Sequence, residues 1–146
     1  EILAVDAVPE AVEGAAVAGR KAGVDDRVRF EVADLRTDGP SPEHGCVLDA
    51  GVMHVFSDVD RPGYLQIVHD ALRPGGTAIF IVFSTEETRP GGPRRLTREE
   101  LVSAIEAAGL RIDSIEKTRY ETLGHDGGAR SWLVRAFRGP AAVDVG

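Results

Sequence analysis

The order in which strand-like and helix-like segments follow one another constrains this chain more than any single motif. Residues 2–5 (ILAV) form a short apolar run that closes on Asp6, and similar runs recur at 28–32 (VRFEV), 46–50 (CVLDA) and 77–83 (TAIFIVF). Apolar runs of this length fit strands of a parallel sheet, buried on both faces. An alanine-rich stretch from Pro9 to Ala22 lies between the first two runs. Pro9 suits a first helical turn, Glu10 favours the positive end of the helix dipole, and Gly23 supplies a stop. After the third run, Ser57, Asp58 and Asp60 offer helix caps, Tyr64, Leu65, Val68 and Leu72 recur at helical spacing, and Arg73-Pro74-Gly75-Gly76 ends the pattern. Strands alternating with helices imply an α/β fold with right-handed crossovers and a mostly parallel sheet. The run at 77–83 is the most apolar and is expected at the centre.

The chain ends differently. Residues 85–96, rich in Pro, Gly and Arg, read as a long loop, and Thr97-Arg98-Glu99-Glu100 as a capping box opening a helix through Ala108, with Gly109 beyond it. Residues 110–118 and 129–137 then read as strands joined by a glycine-rich turn at 124–128, with no helix between them. Two such strands most simply pair antiparallel, which departs from an ordinary dinucleotide-binding fold. Residues 36–45, with Gly39, Pro40 and Pro42, read as loop, and 139–146 as a tail after one domain covering 1–138.

Composition narrows the function. A net charge of −7 argues against nucleic acid as the main partner and against an anionic membrane surface. No apolar run approaches the roughly 18 residues that a membrane span requires. With 42% hydrophobic and 28% charged residues, the chain has the make-up of a globular domain and not of a disordered one. The lone Cys46 fits a cytoplasmic setting and is expected to be a small core residue. His44, His54, His69 and His125 lack zinc spacing, so no metal is expected.

Four blocks in order carry a resemblance: Val5-Asp6, Val32-Ala33-Asp34-Leu35, Val47-Leu48-Asp49-Ala50-Gly51 and Leu72-Arg73-Pro74-Gly75-Gly76. This series resembles the class I S-adenosylmethionine-dependent methyltransferases, and residues 47–58 (VLDAGVMHVFSD) resemble a small-molecule branch near thiopurine S-methyltransferase. The resemblance implies a Rossmann-like sheet, S-adenosyl-L-methionine as cofactor and a small-molecule methyl acceptor. It also implies an apolar strand and a G-x-G-x-G loop ahead of Asp6. No G-x-G occurs in the chain, so the sheet is expected to lack its first strand and glycine loop. On that reading these 146 residues alone bind the cofactor poorly and do not transfer methyl groups.

The resemblance also assigns roles. Asp6, with Ala7, would accept hydrogen bonds from the ribose diol; the competing reading is a cap at the entry to the following helix. Asp34, flanked by Ala33, would meet the exocyclic amine of adenine and the Leu35 N–H a ring nitrogen; the alternative is an Asx-turn. Ala50 and Gly51 would face the methionyl part, where a missing Cβ lets backbone approach. His54 would border the transferred methyl and orient or deprotonate the acceptor, or else pack among Met53, Val55 and Phe56 with its ring N–H on backbone. Methyl transfer from a sulfonium depends mainly on in-line placement and does not demand a base. Arg89 to Arg95 read as a solvated loop, with cover for an acidic acceptor as the sharper option, and Tyr120 and Trp132 either line the acceptor pocket or pack across the last strands.

Two other readings compete: a non-catalytic, methyltransferase-like binding module, and a nicotinamide-dependent reductase, whose ribose an acid after a strand would also suit. The topology separates the reductase. The methyltransferase reading requires the strand at 129–137 to run reversed between those at 77–83 and 110–118.

Overall fold

The computed structural model describes residues 1–41, 44–122 and 124–140. The chain divides into two compact units, Glu1–Gly39 and Pro40–Gly146. In the first, β1 (Ile2–Asp6) pairs in parallel with β2 (Val28–Val32) through the crossover helix α1 (Pro9–Ala22). The punctuation works as the residues dictate: Pro9 opens α1, and Gly23 closes it at φ 66° with its N–H on the Arg20 and Gly19 carbonyls. Gly19 is the buried residue of this helix, and a Cβ there would stand 3.1 Å from the Phe30 ring, so helix and strand approach closely.

The second unit holds β3 (His44–Ala50), a short 3-10 turn (Met53–Val55), α2 (Arg61–Ala71), β4 (Leu72–Phe83), α3 (Arg98–Ala107), β5 (Leu110–Thr122) and β6 (His125–Arg138). Its sheet order is β3-β4-β6-β5. β3 and β4 are parallel, and β6 runs antiparallel to both β4 and β5. The reversed, inserted last strand is therefore present as the topology of the final two runs demands. Residues alternate cleanly along β4. Ala78, Phe80 and Val82 are fully buried with Val134 and Ala136 on the face carrying Leu65, Val68, Leu101 and Ile105 of α2 and α3. Ile79 and Ile81, on the other face, are half-buried.

Several boundaries differ from expectation. The sheet is not one mostly parallel array: among the described residues, β1 pairs only with β2 and β3 only with β4, so there is a two-stranded parallel sheet and a four-stranded mixed one. The loop expected at 36–45 gives way to β3 already at His44; among the described residues no helix lies between β2 and β3 and no strand bridges the two pairs. β4 starts at Leu72 and not at Thr77, because the Arg73–Gly76 stretch bulges out of the ladder between the pairs His44–Leu72 and Cys46–Thr77. Gly75 takes φ 76° there, and at Gly76 a Cβ would lie 2.8 Å from the Arg73 carbonyl oxygen, so the glycines make turn geometry within a strand. β5 and β6 both run on into the expected turn, pairing as far as Thr122 and His125. Cys46 is exposed and not a core residue, because the sheet face on which it sits with Leu48, itself 65% exposed, is the open one. Pro42 of the expected loop and residues 141–146 of the expected tail lie outside the described residues.

The Thr97 capping box forms in full. Its hydroxyl accepts the Glu100 N–H at 3.1 Å and the Glu100 carboxylate accepts the Thr97 N–H at 2.7 Å. The loop before it is solvated along Pro90–Gly92 and at Arg94, and is anchored at its ends. Leu96 is fully buried, takes an isolated parallel bridge to Ser84, and its carbonyl accepts the Trp132 indole N–H at 3.0 Å. Trp132 thus packs across the last strands.

Candidate functional site

In open α/β sheets ligands meet the carboxyl ends of the strands. In the first unit that end collects Asp6, Ala7, Ala33, Asp34 and Leu35, because Asp6 is in register with Val32 and the Ala33 N–H donates to the Asp6 carbonyl at 3.0 Å. The Asp6 carboxylate accepts the Val8 N–H at 2.8 Å through one oxygen. It thereby steadies the entry to α1, while its second oxygen has no partner among the described residues. Asp34 is more heavily engaged. It accepts the Arg36 backbone N–H at 3.0 Å, which is the Asx-turn, and both its oxygens take the Arg36 guanidinium, the shortest contact being 2.6 Å. These hydrogen bonds from Arg36 pull its carboxyl down to about 2. The Leu35 N–H has no hydrogen-bond partner among the described residues.

In the second unit the carboxyl ends of β3 and β4 bring together Ala50, Gly51, His54, Phe83 and Tyr120. Asp49, 2% exposed, accepts the Val52 N–H at 2.6 Å, the Met53 N–H at 2.8 Å and the Tyr64 hydroxyl at 2.8 Å. Three donors on one buried carboxylate fix the turn that carries His54. Burial raises the Asp49 pKa against the pull of those hydrogen bonds, and burial beside Asp49 pushes the Tyr64 hydroxyl far up. Gly51 has φ 90°, and a Cβ there would lie 3.2 Å from the Tyr120 ring and 3.4 Å from His54 Nε2, so glycine lets these two side chains pack against the backbone. Tyr120 donates its hydroxyl to the Ala50 carbonyl at 2.8 Å.

His54 is 3% exposed, and its Nδ1 accepts the Phe83 backbone N–H at 3.0 Å. Burial lowers its pKa to about 4, so the ring is neutral at pH 7. With the Nδ1 lone pair occupied, the proton of the neutral ring sits on Nε2. His54 thus packs with its ring on backbone, but through the lone pair and not the N–H. Its free polar atom is a donor. Phe83 is the hub of this end, meeting His54, Tyr120 and His125 edge-on at centroid distances of 4.9, 6.0 and 5.6 Å.

The arginines of the 85–96 loop are structural. Arg89 pairs with the buried Glu87 at 2.7 Å and reaches the Asp126 and Gly128 carbonyls of the β5–β6 turn. Arg94 bridges Asp58 and Glu100, and Arg95 binds the Arg89 and Gly91 carbonyls. Glu87 also accepts the Arg130 N–H at 2.9 Å, and the Arg89 guanidinium first, then these N–H groups, hold its carboxyl well below the carboxylate range. Tyr64, Phe83 and Glu87 escape a reading of motifs, and Asp49 stands inside the 47–51 block without being given a role. Only Asp49 carries a signal, an acid inside an apolar strand run. Among the described residues no group of three or more His, Cys, Asp or Glu could hold a metal ion.

No family model matches the chain. It is similar to a solved S-adenosylmethionine-dependent methyltransferase from Methanosarcina mazei, at 16% identity and a TM-score of 0.78 over 94% of this chain and 82% of that one. It is also similar to the 1,6-didemethyltoxoflavin N1-methyltransferase of Burkholderia thailandensis, solved with 1,6-didemethyltoxoflavin and S-adenosylhomocysteine (24%, TM-score 0.70, 94% and 60%). A third neighbour, the cyclase SpnF, matches at 15% and a TM-score of 0.78 over 97% of this chain and 68% of that one. The second unit's mixed sheet and these matches define the fold as α/β and methyltransferase-like.

Proposed function

We propose that the protein transfers a methyl group from S-adenosylmethionine to a small-molecule acceptor. The observation that carries this is the reversed β6 inserted between β4 and β5. A nicotinamide-dependent fold would continue the parallel crossover pattern instead. Support comes from the residues at the strand ends. In the first unit the spare oxygen of Asp6 suits a ribose diol, and the unpartnered Leu35 N–H suits a ring nitrogen of adenine. Asp34 fits the adenine amine less simply, since Arg36 already occupies both its oxygens and the amine would share a lone pair. In the second unit His54 offers a donor beside Gly51, whose missing Cβ side is covered by Tyr120, so the methionyl part fits this corner less simply than the nucleoside fits the first unit.

When bound, the cofactor would supply an electrophilic methyl on a sulfonium. The chain's part is binding, orientation and exclusion of water. The discriminating experiment titrates the full-length protein with S-adenosylhomocysteine and with NADH side by side by calorimetry. Saturable binding of the first alone is the expected result. Binding of NADH alone would turn the reading to a reductase, and binding of neither would leave a non-catalytic module.

A further inference from the structure

The second unit carries a hydrogen-bond donor at its ligand-facing strand ends, and among the described residues every carboxylate in the two loops that follow β3 and β4 already has a partner. The acids from β3 to the start of α2 and those of the loop between β4 and α3 are engaged. Asp49 is buried under three donors, and Asp58 holds Arg61 and Arg94. Asp60 takes the Ser57 hydroxyl at 2.6 Å. Glu86 pairs with Lys117 at 2.6 Å and Glu87 with Arg89. Of the groups packed around His54, Tyr120 donates to Ala50. His125 lies across Phe83, 6% exposed, with Nδ1 3.1 Å from the Thr122 hydroxyl and a buried Nε2 that has no partner. His54 itself spends its lone pair on the Phe83 N–H, and its Nε2 has no hydrogen-bond partner among the described residues.

Resting on the methyl-transfer reading above, we infer that the acceptor is a molecule whose reacting atom arrives already ionised, such as an acidic phenol or thiol, and that His54 holds it as a donor through Nε2–H while a further lone pair of that atom attacks. The step balances without a protein base. The acceptor's lone pair forms the bond to the methyl carbon, the C–S bond breaks, and its electron pair neutralises the sulfonium to a thioether. A phenolate or thiolate becomes a neutral ether or thioether, so no proton has to leave during the step. An aliphatic alcohol would have to surrender a proton during the step, and this arrangement does not favour it.

Two substitutions separate donor from base. In His54→Gln the amide oxygen can take the Phe83 N–H while its NH2 donates. In His54→Glu one oxygen can take the same N–H, the other is a base, and no donor remains. The full-length variants are assayed with S-adenosylmethionine against 4-nitrophenol, phenol and thiophenol, and the His54 ring nitrogens are followed by 15N NMR in the wild type. The inference expects kcat/KM for Gln to exceed that for Glu by about tenfold or more, the loss of one hydrogen bond to a charged or strongly polar group. It also expects an acid limb that moves with each phenol's own ionisation, and a ring that stays Nε2–H at neutral pH. Glu outperforming Gln, or an acid limb common to both phenols and absent in His54→Gln, would overturn it. So would a ring titrating near neutrality, or no transfer to any of the three probes by protein that binds S-adenosylmethionine. Failure to bind S-adenosylmethionine at all would instead remove the underlying methyl-transfer reading.

Discussion

Asp6 and Asp49 both stand at the carboxyl end of a parallel strand, one in each unit, and their surroundings give them opposite tasks. Asp6 is exposed, spends one oxygen on the Val8 N–H and keeps the other available. Asp49 is buried and spends both oxygens on two backbone N–H groups and the Tyr64 hydroxyl. The difference teaches that an acid at a strand end is not by itself a ligand-binding signal. What decides is how much of its lone-pair capacity the fold has already used. Asp34 lies between the two extremes, half-exposed but occupied by Arg36.

The comparison breaks first at Asp49. Replacing it with Ala leaves the Val52 and Met53 N–H groups and the Tyr64 hydroxyl without an acceptor in a buried place. Each stranded group costs roughly 1–3 kcal/mol, so a loss of about 3 kcal/mol or more is expected in urea unfolding. An Asp49→Ala protein as stable as wild type would mean that the turn does not depend on this carboxylate.

The next effect in size is acid destabilisation through His54, which that turn carries. Its folded pKa, about 4, lies below the ordinary histidine value of 6.5 because of burial. The unfolded chain therefore takes up a proton that the native state refuses. Stability from this group is complete above the unfolded pKa, falls as pH drops through the window between the two values, and is fully lost below the folded one. After discounting for screening, the loss is on the order of 2 kcal/mol and should be absent from His54→Gln. Identical pH profiles for the two proteins between pH ~6.5 and ~4 would contradict it.

Asp34 sharpens the comparison by a small effect. Its pair with Arg36 is largely exposed, and exposed pairs contribute little. Asp34→Ala should leave the melting temperature nearly unchanged, and a large drop would place Asp34 with Asp49 and not with Asp6.

Much of the fold is legible in local chemistry. Pro9 and Gly23 bound α1, Thr97 and Glu100 close the capping box, and the absence of a helix between the last two strands forces the reversal of β6. The separation into two sheets is less legible, since strand patterns carry no statement of which strand sits beside which. The exposure of Cys46 follows from that same gap, because an apolar strand reads as buried on both faces until the packing of each face is known. At the site, the clustering of Asp6 with Ala33 to Leu35, and of Gly51 with His54, follows from strand ends. The state of each side chain does not. The His54 tautomer depends on a backbone N–H 29 residues away, and the Arg89 contacts reach carbonyls 37 and 39 residues away. Long-range bonds of this kind leave no local spacing to read. The Asp34 pair with Arg36 is local, two residues apart within the turn, and the Asx-turn reading anticipates its backbone half.

The account rests most directly on Asp6, and one calorimetric comparison tests it: titration of the full-length protein and its Asp6→Ala variant with S-adenosylmethionine. A charge-assisted hydrogen bond to the ribose diol is worth about 1.5–3 kcal/mol, so the variant should bind roughly 10- to 150-fold more weakly with its fold intact. Equal affinities for the two proteins would reduce Asp6 to the entry cap of α1 and contradict the account.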